Sequence, residues 1–140
     1  MRKLRHVIFE QHPVVLNRSA TIIEACREMQ RTSAGSVVVV DDDGRLVGIF
    51  TARDAVWRVL AVGRDAATTN LGDAMTPNPT TLSPDQTAID ALRLMWDGGF
   101  RHVPIVKDGR ILGVVSRGDF LGVELQHHDL ERDFWEHLPG

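Results

Sequence analysis

Two stretches of the chain carry the same order of apolar and polar positions. In the later one, Thr80-Thr81-Leu82 reads as a short strand, followed by the polar run Ser83-Pro84-Asp85-Gln86. That run predicts a helix start, with Ser83 as N-cap, Pro84 at the first helical position and Gln86 closing a capping box. Ala88, Leu92, Met95 and Trp96 then recur at helical spacing, and Gly98-Gly99 ends the helix. The apolar run His102 to Val106 predicts a strand, and Ile111 to Val115 its return. Between them Lys107-Asp108-Gly109-Arg110 is a hairpin turn whose Asp-Gly accepts positive φ. The earlier stretch predicts a helix over residues 19–31, a strand Ser36 to Val40, a turn at Asp42-Asp43-Gly44 and a strand Leu46 to Phe50. Val37 to Val40 is unbroken apolar, as for a strand buried on both faces.

The two stretches are copies. When Pro13 to Leu60 is laid over Pro79 to Leu125 with one deletion, fifteen of 47 aligned pairs are identical. Each copy reads as strand, helix, strand, strand, helix. The expected division is a first repeat over 7–62, a connector over 63–78, a second repeat over 79–125 and an amphipathic helical tail over 126–140. The connector is rich in turn formers, with one helical turn expected near Leu71 to Met75. A unit of about 50 residues is marginal alone, so the pair is expected to fold together.

Each copy ends its return strand in hydroxyl-x-x-acid: Thr51-Ala52-Arg53-Asp54 and Ser116-Arg117-Gly118-Asp119. A capping box accounts for this pattern without any ligand. The same corner also suits a nucleotide. A helix N-terminus attracts phosphate, and a carboxylate beside it can accept from both hydroxyls of a ribose. The two readings are compatible.

The repeated Gly-apolar-x-Thr/Ser-x-x-Asp, as Gly48 to Asp54 and Gly113 to Asp119, resembles the signature of CBS domains. Asp73-Ala74-Met75-Thr76-Pro77 and Arg101-His102-Val103-Pro104-Ile105-Val106 add to the resemblance, which covers about residues 7–125. It implies an α+β fold of two tandem βαββα repeats, packed through their sheets with pseudo-two-fold symmetry, and commonly dimeric. It also implies clefts between the repeats for adenosine-containing ligands: AMP, ADP, ATP, NAD or S-adenosylmethionine. By position, Asp54 and Asp119 would hold ribose hydroxyls, with Thr51 and Ser116 beside ribose or phosphate. The strand edges at Val14 and Thr80, with Ser36, Val38, His102 and Pro104, would flank the adenine. Arg53, Arg101, His102 and Arg117 are candidate phosphate partners. The second copy is the more basic, since Arg101 and His102 replace Gly35 and Ser36; it is the favoured site if one alone fills.

Composition narrows the classes. Net charge is -3 over 140 residues, which argues against nucleic acid or an anionic membrane as partner. No apolar run approaches the roughly 20 residues of a membrane span, and the basic start lacks a signal-peptide core. The single cysteine, Cys26, permits no internal disulfide, and a cytoplasmic location is expected. Cys26 is expected to pack in the core. Val114-Val115-Ser116-Arg117-Gly118 approaches a hydrolase elbow but lacks its first glycine. His127, His128 and His137 sit among tail carboxylates at spacings that give two metal ligands at most, so no metal is expected. Arg2, Lys3 and Arg5 read as a solvated end. The expectation is a non-catalytic regulatory module, homodimeric, that senses adenine nucleotides and passes its output to a separate effector protein. The alternative is an assembly module whose corners are only capped helices.

Overall fold

Thr21 and Thr87 open the two principal helices. The computed structural model describes residues 2–120, and the structural statements below concern those residues. Helix α1 spans Leu4–Val7, strand β1 Val15–Asn17 and helix α2 Ile22–Thr32. Strands β2 (Ser36–Val40) and β3 (Leu46–Thr51) lead into helix α3, Ala52–Asp54, which continues with wider π-type turns over Ala55–Leu60. Helix α4 (Leu71–Ala74) and strand β4 (Thr76–Pro77) follow. Then come α5 (Ala88–Gly98), β5 (His102–Lys107), β6 (Arg110–Ser116) and a 3-10 turn over Arg117–Asp119. The fold is α+β, with the expected tandem repeat. Tail residues 126–140 lie outside the described residues, as do Val123 and Leu125 of the second repeat.

The chain divides into two compact units, residues 12–80 and residues 2–11 together with those from 81 onward. In the first unit the sheet order is β1-β2-β3-β4; β1 runs parallel to β2 and the other pairs are antiparallel. Val37, Val38 and Val39 are fully buried, as the unbroken apolar run predicts. Thr21 caps α2: its hydroxyl accepts from Glu24 N–H at 3.3 Å and Glu24 Oε2 accepts from Thr21 N–H at 3.1 Å. The helix lays Ile22, Ala25 and Met29 into a core with Val37, Val39 and Phe50. Cys26 is half-buried against that core.

In the second unit β5 and β6 form the expected hairpin. Its turn carries Asp108 at φ 51° and Gly109 at φ 76°, the double positive φ that Asp-Gly tolerates. Helix α5 starts later than the sequence suggests. Thr87, not Ser83, is the N-cap, and Asp90 Oδ2 accepts from Thr87 N–H at 2.9 Å. Ser83 to Gln86 instead closes a turn of its own, in which Gln86 Oε1 accepts from Ser83 N–H at 2.9 Å. A start at Thr87 sends Ala88, Ala91, Leu92 and Met95 together into the core. The expected strand at Thr80-Thr81-Leu82 shrinks to a single parallel bridge between Leu82 and Ile105.

The two units exchange their leading segments, which the sequence reading missed. Residues 63–78 are not a mere connector: Leu71, Ala74 and Met75 belong to the core of the first unit. Residues 2–11 belong to the second unit, where Leu4 and Ile8 are core. The two segments dock alike. Leu71 N–H donates to Ala20 O and Leu4 N–H to Gln86 O, both at 2.8 Å. Ile22 N–H donates to Thr69 O and Ala88 N–H to Arg2 O, both at 3.0 Å. Each segment also crosses a glycine of a return strand. A Cβ on Gly48 would overlap Met75 Sδ and meet Thr76 O at 3.0 Å, and one on Gly113 would meet Ile8 Cβ at 2.8 Å. The signature glycine is therefore a packing requirement in both copies.

Candidate functional site

Strand pairing builds each corner. In the first unit Ser36 lies opposite Thr51, and Val38 N–H donates to Val14 O at 2.8 Å. Val14, Ser36, Val38, Thr51 and Asp54 are thus gathered at one end of the sheet. Thr80 is exposed beyond β4 and is not brought to that corner by any pairing. In the second unit His102 lies opposite Ser116, Pro104 lies opposite Val114, and Arg117 N–H donates to Arg101 O at 3.2 Å. Arg101, His102, Ser116, Arg117 and Asp119 therefore meet at one place, with Pro104 one step along the strand.

The first corner is a complete capping box. Asp54 Oδ2 accepts from Thr51 N–H at 3.0 Å and from its hydroxyl at 3.2 Å, while Asp54 N–H donates to Thr51 Oγ1 at 3.2 Å. The other carboxylate oxygen is also engaged. Asp54 Oδ1 accepts from the Thr76 hydroxyl at 3.1 Å and faces Arg58 Nε at 3.3 Å. Arg58 Nη1 donates to Met75 O at 3.1 Å. This network lets Asp54 sit 8% exposed, because a buried carboxylate is tolerated only when paired and hydrogen-bonded. Arg53 lies over the ring of Trp57, 3.9 Å from its centroid, a cation–π contact.

The second corner is differently served. Asp119 Oδ2 accepts from Ser116 N–H at 2.7 Å and from the Ser116 hydroxyl at 3.2 Å. Among the described residues, Asp119 Oδ1 has no hydrogen-bond or ion-pair partner. Arg2 reaches this corner across 117 residues of sequence and donates to Asp119 O at 3.1 Å. Of the N-terminal basic residues, Lys3 and Arg5 are exposed, as expected of a solvated end, with Arg5 paired to Asp85, whereas Arg2 is half-buried and braces the corner.

Three functional-site residues escaped the sequence reading. Arg58 had a local signal, the i, i+4 spacing from Asp54 on a helix. Thr76 lies in the Asp73 to Pro77 stretch that adds to the resemblance, but nothing there signals its bond to Asp54, and Arg2 had no signal, because exchange of the leading segments brings both in. The described residues contain no cluster of three or more groups able to hold a metal ion. Among them no helix is long and apolar enough to cross a membrane.

The family model described as CBS domain matches residues 4–61 and again 71–125. The chain belongs to the CBS-domain family. This CBS pair is 37% identical over 118 residues to an uncharacterised 17.7 kDa protein of Acidianus ambivalens, covering 84% of this chain and 70% of that one. It is 33% identical over 112 residues to the mitochondrial CBS domain-containing protein CBSX3 of Arabidopsis thaliana, covering 77% of this chain. The CBS pair spans 54% of that plant relative's length and 19% of a second, CBSCBSPB2. Among solved structures, a CBS domain protein of Pyrobaculum aerophilum complexed with AMP superposes with a TM-score of 0.81 at 26% identity, covering 91% of this chain and 98% of that one.

Proposed function

We propose that this CBS pair is a non-catalytic regulatory module that binds an adenosine-containing nucleotide, AMP, ADP, ATP or NAD. The observation that carries the reading is Asp119 Oδ1, which no described residue engages. A carboxylate with one oxygen fixed by its helix cap and the other unengaged can accept from the vicinal hydroxyls of a ribose. Ser116 lies beside it, Arg101 and Arg117 supply guanidinium groups for phosphate, and His102 and Pro104 of β5 would flank a base. Val14, Ser36, Val38, Thr51, Arg53 and Asp54 form the corresponding set of the first copy, and Thr80 is the second copy's counterpart of Val14. The AMP bound by the Pyrobaculum relative supports the ligand class. A sensor of this kind acts by differential affinity for two arrangements of the protein. We place it in the cytoplasm as a homodimer whose output goes to a separate effector protein.

Titration calorimetry with AMP, ADP, ATP, NAD and S-adenosylmethionine tests the reading. Saturable binding of at least one is expected. Absence of binding by all five, together with no small molecule released from the purified protein, would leave the assembly-module reading. That second reading draws on the first corner, where the protein saturates its own carboxylate.

A further inference from the structure

We infer that the first corner is internally ligated: the hydroxyl of Thr76 occupies the oxygen of Asp54 that a sugar hydroxyl would use. The inference rests on reading the corners as ribose sites. It concerns how one of them is regulated.

Thr76 offers the same donor as a ribose, an aliphatic O–H, and places it 3.1 Å from Asp54 Oδ1. Pairing of Thr76 with Ile49 across β3 and β4 holds it there. Arg58 closes the arrangement from the other side, with Nε 3.3 Å from the same oxygen and Nη1 3.1 Å from Met75 O. A diol arriving at Asp54 must displace Thr76, and with it loosen β4 from the corner. The contact is autoinhibitory.

Among the described residues the second corner shows neither part of this latch. Leu4 and Leu71 occupy equivalent places in the exchanged segments, as do Ile8 and Met75. The same offset puts Phe9 where Thr76 stands, and Phe9 is 75% exposed. In the sequence alignment of the repeats Arg58 pairs with Val123. Neither side chain can donate a hydrogen bond. Two corners with one motif are therefore unequal: the second keeps Asp119 Oδ1 unengaged among the described residues, the first is closed by its own chain, and the wild type takes one nucleotide per chain.

Calorimetry with AMP in an Asp119→Asn background reads the first corner alone. Thr76→Val removes the hydroxyl at nearly constant volume. It is expected to tighten AMP binding by on the order of 3- to 10-fold, the worth of one hydrogen bond. Thr76→Ser keeps the donor and should give no gain, and adding Asp54→Asn to Thr76→Val should remove the gain. Arg58→Met strips the other donor from the same oxygen and should also tighten binding; it serves if Thr76→Val lowers the melting temperature. Unchanged affinity in both Thr76→Val and Arg58→Met, or two equal sites in the wild type, overturns the inference. A gain at the first corner with no wild-type binding would uphold the latch while refuting the open second corner. Wild-type binding without a gain would do the reverse, and no binding by any variant would refute both.

Discussion

Thr76 and Asp54, 22 residues apart in sequence, share a hydrogen bond of 3.1 Å that fastens strand β4 to the first corner. Asp119, the counterpart of Asp54, keeps one oxygen unengaged among the described residues. The repeats thus retain one motif and use it differently. In the first copy the acid is a structural tie. In the second the cap takes only one of its two oxygens.

The helix start at Thr87 is testable by stability. Thr87→Ala removes the N-cap hydroxyl of α5 and should cost about 1 kcal/mol in denaturant unfolding. Ser83→Ala leaves that cap intact and should cost clearly less. A larger loss from Ser83→Ala would restore the earlier start.

Much of the fold was legible in the residues, and the exceptions have physical causes. Val37 to Val40, the Asp108-Gly109 turn and the two hydroxyl-x-x-acid corners each carry a local signal, in apolar run, backbone conformation or capping chemistry. Ser83 misled because Ser-Pro-Asp-Gln satisfies the rules for a helix start and for a self-closed turn alike. Thr87 and Asp90 form the competing, later capping box. The exchange of leading segments was hidden for another reason. Residues 2–8 and 69–75 share a docking pattern of backbone hydrogen bonds, and backbone bonds leave little trace in side-chain identity. The candidate site inherited that gap, since Thr76 and Arg2 reach their corners through those segments.

The exchange predicts that the N-terminal segment is integral to the second unit. Leu4 is fully buried in a core with Ala88, Leu92 and Val103. Leu4→Ala should therefore destabilise by roughly 2–5 kcal/mol, the range for deleting a buried leucine side chain. Proteolysis of the variant should begin in residues from 81 onward. A change below about 0.5 kcal/mol, as for an exposed position, would contradict the docking of this segment.

Cys26 predicts a slow thiol. Burial beside the first core raises its pKa above the ordinary thiol value, so less thiolate exists at neutral pH. Alkylation by iodoacetamide should be slower than for a free cysteine and should still be rising with pH where a free thiol has levelled off. A rate equal to that of the free amino acid at every pH would contradict this placement.

The central claim is that the open carboxylate of the second corner grips a sugar, and Asp119→Glu addresses it directly. Glutamate serves a capping box well but carries its carboxylate about one methylene further out. With whichever adenosine compound binds the wild type, calorimetry and thermal melting should part company. Affinity should fall by on the order of tenfold or more, the loss of a charge-assisted hydrogen bond, while the melting temperature holds. Undiminished affinity, or a fall in affinity matched by a fall in melting temperature, would show that Asp119 only caps its helical turn.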